Sequence, residues 1–330
     1  MKEDNLITRN DRPSAPRKEG ATGENGGDEH VLVPRAPFCF RKAREAIASF
    51  TPGRDQVSVN EAVHRPLRVG GRTVLATIVS HGSIENPRLG VTLAEGIETS
   101  GFLSAVADHL SIDDDLEPLY QTGLEDPLFG MVIARLYGLH QVRFISPFAS
   151  ACWAILSAHT FMDAAVSLQS GLLRFCSDSV AGPNGPLWAY PEPSDVLDAG
   201  EDKVRGAVLN VRKARYLMSA AKAFHEVDPS FLKAAGYDEA RSWLMDIEGI
   251  GPWGASLVMV RGLGRMERLP EKDKALAKAA SAVYGRKVTG DELETMSERY
   301  GQLRAYWAYY LRVAADHPPL EDPASAPEGH

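Results

Sequence analysis

The sequence predicts an α+β protein that is mostly helical, with a mixed α/β N-terminal domain (antiparallel sheet plus helices) followed by an all-α domain. Three observations carry this prediction. Residues 66–69 and 72–79 are rich in Val, Leu, Thr and Ile and flank Gly70-Gly71, a pair that tolerates positive φ and so suits a tight hairpin. Beyond residue 126 the alternation stops and apolar residues recur at helical spacing to near the end. At 330 residues the chain also exceeds one average core and suits two domains with tails.

In chain order, residues 1–35 are rich in Gly, Asn, Pro and mixed charge, with few large apolar side chains, and are expected to be a disordered tail. The α/β domain is placed at 36–123. Its third strand falls at 88–93, with Leu89, Val91 and Leu93 alternating, and a helix follows at 101–110. The acidic run Asp113-Asp114-Asp115 reads as a cap and solvated turn rather than a metal site. The helical domain is placed at 124–317. Its helices are expected at 147–165, with Pro147 in the first turn, at 207–224 and at 237–247, and 181–186 reads as a loop. Residues 318–330 read as a second disordered tail.

Composition narrows the function classes. No apolar run is long enough to cross a bilayer and the polar start lacks a signal-peptide core, so a cytoplasmic protein without a membrane partner is expected. Cys39, Cys152 and Cys176 are too scattered for a disulfide framework or a metal cluster, so neither is expected. The net charge of -8 speaks against a polyanionic partner, but residues 203–287 carry 16 Lys and Arg against 9 Asp and Glu. A local basic face is thus set in an acidic whole.

The most informative stretch is Gly249-Ile250-Gly251-Pro252-Trp253-Gly254-Ala255. A helix ends near Ile247, two glycines make a sharp turn, and Pro252 opens the next helix. Glycine admits left-handed angles and, without a Cβ, lets an anion approach N–H groups at a helix N-terminus. Taken alone, this turn reads first as a helix C-cap. Downstream come Gly264, Pro270, Asp273 and Leu276, with a helix expected at 274–284. The two pieces together resemble the helix-hairpin-helix superfamily of DNA glycosylases, whose pattern is Gly-Ile-Gly-Pro-Trp-x-Ala followed by Gly-x-x-x-x-x-Pro-x-x-Asp-x-x-Leu. Val211-Arg212-Lys213-Ala214 and Tyr300 to Trp307 are similar to flanking helices of that family, and residues 37–115 look like the extra N-terminal domain of 3-methyladenine DNA glycosylase II.

The resemblance implies a monofunctional enzyme that flips an alkylated purine out of double-stranded DNA, cleaves its glycosidic bond and leaves an abasic site. Asp273 would be the catalytic carboxylate, although from local sequence alone its place before a helix reads first as a cap. Trp253 stands where relatives with strand-cleaving activity carry lysine; an indole forms no Schiff base, so lyase chemistry is not expected. Trp253, Tyr300, Phe38 and Arg304 would border the base pocket. Gly249, Ile250, Gly251 and Gly254 would meet the DNA backbone, and His159 is the candidate for the residue that fills the gap left by the flipped base. The segment around His159 departs from the family pattern, and Gly254 replaces its usual Thr. No cofactor is expected beyond a monovalent cation on the hairpin carbonyls. A monomer is expected, cytoplasmic and nucleoid-associated if bacterial. The alternative is a catalytically inactive helix-hairpin-helix protein that binds damaged DNA.

Overall fold

The computed structural model describes residues 27–53, 56–271 and 273–316. The order is β1 (Gly27–Leu32), α1 (Phe40–Ser49), β2 (Val57–Val59), β3 (Ala62–Val69), β4 (Arg72–Ser80), β5 (Leu89–Ala94), α2 (Ser100–Leu110), α3 (Glu117–Gly123) and α4 (Pro127–Leu136). Then come α5 (Pro147–Ser157), α6 (Met162–Cys176), β6 (Ser179–Gly182), β7 (Gly185–Trp188), α7 (Pro193–Val208), α8 (Val211–Glu226), α9 (Pro229–Ala234) and α10 (Tyr237–Met245). The chain closes with α11 (Pro252–Leu257), a π turn (Val258–Gly262), α12 (Lys274–Tyr284), α13 (Gly290–Ser297), a 3-10 segment (Glu298–Leu303) and α14 (Arg304–Asp316).

Five strands form one antiparallel sheet in the order β1-β5-β4-β3-β2. Val69 pairs with Arg72 across the expected two-residue hairpin, and Gly70 and Gly71 take φ +59° and +75°, the angles that such a turn demands. The sheet packs Val63, Leu67, Ile78, Leu89 and Val91 against Phe40 and Ile47 of α1 and Phe102 and Val106 of α2. The same hairpin docks on the helical region. The Gly70 and Gly71 N–H groups donate to Glu192 (3.0 and 2.7 Å), and the Arg68 guanidinium spans Asp195 and Asp178.

Three expectations need correction. Residues 27–32 lie in the stretch expected to be disordered but form edge strand β1, paired with β5 from Gly27↔Ala94 to Leu32↔Leu89. Their polar side chains gave no local strand signal; the pairing is supplied by β5. The stretch read as a loop at 181–186 is the tip of the β6-β7 hairpin, in register Gly182↔Gly185, so the helical region is not purely α. The single helix expected at 147–165 is two, broken at residues 158–161, where His159 takes φ +53°. The tail at 318–330 lies outside the described residues.

The helical region holds two cores. One gathers α5 to α8, α10 and α11 around Phe148, Ile155, Leu217 and Leu244; the other gathers α3, α4 and α12 to α14 around Phe129, Trp307 and Tyr310. The π turn joins them, with Val258 and Met259 in the first core and Val260 in the second. A buried knot ties the acidic run to α14. Asp114 accepts two bonds from Arg143 (2.6 and 2.9 Å) and one from the Tyr306 hydroxyl, and Asp115 pairs with Arg35, so this run is an anchor rather than only a solvated turn.

His109 lies beside this knot, fully buried, donating from Nδ1 to the Arg143 carbonyl (2.6 Å) while its buried Nε2 meets no hydrogen-bond partner. Burial, aided by the charge on Arg65, holds its pKa well below the ordinary value. The unfolded chain therefore takes up a proton that the folded chain refuses, so this contribution to stability is full above about pH 6.5 and lost as pH falls, at about 1.4 kcal/mol per pH unit. Urea unfolding at pH 6 and pH 5 should show most of that slope, reduced in His109→Asn; an unchanged slope would contradict it.

Candidate active site

Asp273 is placed by the helix it begins. As N-cap of α12, its Oδ1 accepts from the Ala275 and Leu276 N–H groups (both 3.0 Å), while Oδ2 accepts from Arg312 of α14 at 2.7 Å. The cap and the functional reading are thus served by different oxygens. Asp273 opens onto a cavity of about 1200 Å³ between the two helical cores, walled on its third side by α1 and residues 50–52.

Trp253 lines the same cavity from the first turn of α11. It is 50% exposed, which excludes a plain core role and leaves ring surface free for a ligand. Arg261, in the π turn, sits with its guanidinium 4.2 Å from the Phe50 ring and donates to the Val142 carbonyl (2.8 Å). Burial lowers its pKa to about 10. π turns of this kind are often found at functional sites, because the extra residue re-aims a side chain. Phe50, Trp153 and Tyr309 supply further aromatic wall.

Three of the residues expected in the pocket sit elsewhere. Phe38 is 2% exposed and packs edge-on against His140 in the sheet core. Tyr300 is buried between Phe129 and Trp307, stacked on the latter at 5.7 Å, and burial raises its phenol pKa. Arg304 bonds Ser297 Oγ (3.1 Å) and the Glu294 carbonyl (3.3 Å), bracing the start of α14. None of the three is among the described lining residues. The face of α14 turned to the cavity is Ala305, Ala308, Tyr309, Arg312, Val313 and Asp316, spaced for one side of a helix, and Tyr309 rather than Tyr300 is its aromatic.

In the hairpin, Gly249 and Gly251 are exposed, whereas Ile250 is 4% exposed in the core and Gly254 is buried. A Cβ on Gly254 would stand 3.3 Å from Ala154 Cβ and Ile250 Cγ2, so Ile250 and Gly254 pack the hairpin on α5 rather than offering side chains to a ligand. Several cations of the basic segment are neutralised by ion pairs, namely Arg215–Glu248, Lys233–Asp108, Arg241–Glu271, Arg265–Glu267 and Arg268–Asp238, so its field is weaker than the residue count suggests.

His159 is exposed at the turn after α5, and Phe161, which sequence reasoning passed over, is 91% exposed two residues on. The turn borders the cavity through Met162. Lys213 of α8 holds it: Nζ donates to the carbonyls of Ile155 (2.8 Å), Leu156 (2.7 Å) and Ala158 (3.0 Å), closing the C-terminal end of α5. Lys213→Met leaves those carbonyls open and should lower stability by about 1–3 kcal/mol in thermal unfolding, with Lys213→Arg recovering part of it. Equal stability of all three proteins would remove the clamp.

No family model matches the chain. It is 26% identical over 210 residues to a DNA-3-methyladenine glycosylase of Bacillus subtilis, covering 62% of this chain and 69% of that protein. It is also 26% identical over 311 residues to a probable bifunctional transcriptional activator/DNA repair enzyme AlkA of Mycobacterium tuberculosis, covering 92% of this chain but only 60% of that relative. Among solved structures, a 3-methyladenine DNA glycosylase from Archaeoglobus fulgidus superposes with a TM-score of 0.71 at 22% identity, over 87% of this chain and 98% of the other. With Asp273 and Trp253 facing one cavity, the chain is thus similar in sequence to 3-methyladenine DNA glycosylases and shares the fold of the Archaeoglobus enzyme over most of its length.

Proposed function

We propose that this protein is a monofunctional DNA N-glycosylase of base excision repair that removes alkylated purines of the 3-methyladenine type and leaves an abasic site. The observation that carries the reading is the convergence of Asp273 and Trp253 on a single cavity large enough for a flipped nucleoside. The names of the Bacillus and Archaeoglobus relatives support the same substrate class.

In this reading the hairpin N–H groups hold a backbone phosphate, and the turn at 158–161 enters the duplex where the base has left. The extruded base stacks on the free face of Trp253. An alkylated, cationic purine is already a good leaving group, so the protein need only stabilise positive charge on the deoxyribose. Asp273 supplies that charge from a fixed position, and water attacks the opposite face of the sugar. No amine is offered by Trp253, so the reaction stops at base removal. The enzyme works as a monomer in the cytoplasm, at the nucleoid if the source is bacterial. No step requires a cofactor. The hairpin carbonyls of Ile247 and Gly251 each accept one N–H bond and keep a second lone pair, a donor set suited to a weakly held monovalent cation.

Incubation with methylated duplex DNA, followed by chromatography of the released bases, tests the proposal. Free methylated purine and alkali-labile abasic sites are expected. Tight binding to abasic DNA without any release over many hours would instead assign a non-catalytic DNA-binding role.

A further inference from the structure

The cavity around Asp273 is lined by more cations than carboxylates. Arg41, Lys42, Arg135, Arg261 and Arg312 line it, against the carboxylates of Glu45, Asp273 and Asp316. Of these cations, Arg312 touches the carboxylate itself, Nη1 to Oδ2 at 2.7 Å. Asp273 is only 14% exposed, but the Arg312 side chain is 47% exposed and long, so it can swing outward without disturbing the capped carboxylate.

We propose that Arg312 is the resting counter-ion of Asp273 and sets the enzyme's discrimination between cationic and neutral damaged bases. While the ion pair is closed, the guanidinium occupies the place where the sugar acquires positive charge and compensates the carboxylate that must stabilise it. A substrate must therefore exchange one cation for another. A base that carries its own charge meets repulsion from Arg312 in addition, whereas a neutral base does not. The consequence is a site less biased toward cationic purines than Asp273 and Trp253 alone would make it. This proposal rests on the glycosylase reading above.

The test uses the full chain under single-turnover conditions, with enzyme in excess but below saturation so that binding and cleavage both count, on two duplexes: one bearing 7-methylguanine, which is cationic, and one bearing hypoxanthine, which is neutral. Arg312→Gln, which stays polar but is shorter and uncharged, should speed 7-methylguanine release about fivefold, the effect of a unit charge roughly 8 Å away in a partly solvated site. Hypoxanthine release should change less. Arg312→Lys, which keeps the charge, should stay near the wild type on both. A fall on both duplexes with Gln would mean that Arg312 merely orients Asp273. Equal changes on both, or Lys behaving as Gln, would equally overturn the proposal. If the wild type releases neither base nor any other methylated purine, the glycosylase reading itself fails, and that outcome is distinct from the others.

Discussion

Asp273→Asn should slow base release from methylated DNA by about 10²–10³-fold while leaving the fold in place, the range found when one preorganised electrostatic partner is removed from a transition state. Asparagine caps helices about as well as aspartate, so its amide oxygen can keep the bonds from the Ala275 and Leu276 N–H groups. What it cannot supply is the negative charge facing the cavity, and its amide would present donors to the donors of Arg312. Loss of that ion pair is a small stability effect, because Arg312 is half-exposed and the pair is screened. The two roles of this residue therefore separate experimentally. Circular dichroism and thermal unfolding should match the wild type to within about 1 kcal/mol, while single-turnover release collapses. Asn releasing base as fast as Asp would leave Asp273 as a cap alone.

Much of this was legible in the chain. The Gly70-Gly71 hairpin could be read because its turn chemistry and the flanking strands are contiguous, and the helix expected at 274–284 is α12, announced by its own cap. Asp273 and Trp253 could be paired because both fall inside one motif of 25 residues or so, so that their spacing is local information. The break between α5 and α6 was not legible: Ser157, Ala158, His159 and Thr160 include neither Gly nor Pro, and the turn is set by Lys213, more than 50 residues away. The same holds for the cavity wall. Phe50, just past α1, and Tyr309 and Arg312 of α14 line the cavity, and nothing local in either segment reports which face will look into it. Only the family pattern, and no local feature of the chain, places Tyr300 and Arg304 there. Burial of Tyr300 against Phe129 and Trp307 instead turns that segment into the core.

The two hairpin glycines should fail in opposite ways when each is changed to alanine. Gly249 sits at φ +95°, where an L side chain is strained, and a Cβ there would lie 2.4–2.6 Å from Cβ, Cγ and Cδ2 of Tyr216. Those atoms are the root of the tyrosine side chain rather than its mobile end, so the ring cannot yield without moving α8. Backbone strain of roughly 1–2 kcal/mol and overpacking of roughly 1–3 kcal/mol together predict a loss of about 2–5 kcal/mol in urea unfolding for Gly249→Ala. Gly251 takes φ -92° and ψ -176°, ordinary extended angles, and nothing lies within 4 Å of its would-be Cβ. Gly251→Ala should therefore keep the wild-type stability to within about 0.5 kcal/mol. Its methyl group would instead stand between a phosphate and the N–H groups at the start of α11, weakening binding to abasic duplex by about tenfold, the worth of one hydrogen bond to a charged group. Wild-type stability in Gly249→Ala would mean that Tyr216 is free to move. Undiminished DNA binding in Gly251→Ala would mean that no phosphate is held at this residue. Since one substitution tests the fold and the other the anion site, the pair distinguishes a hairpin that only turns the chain from one that also holds DNA.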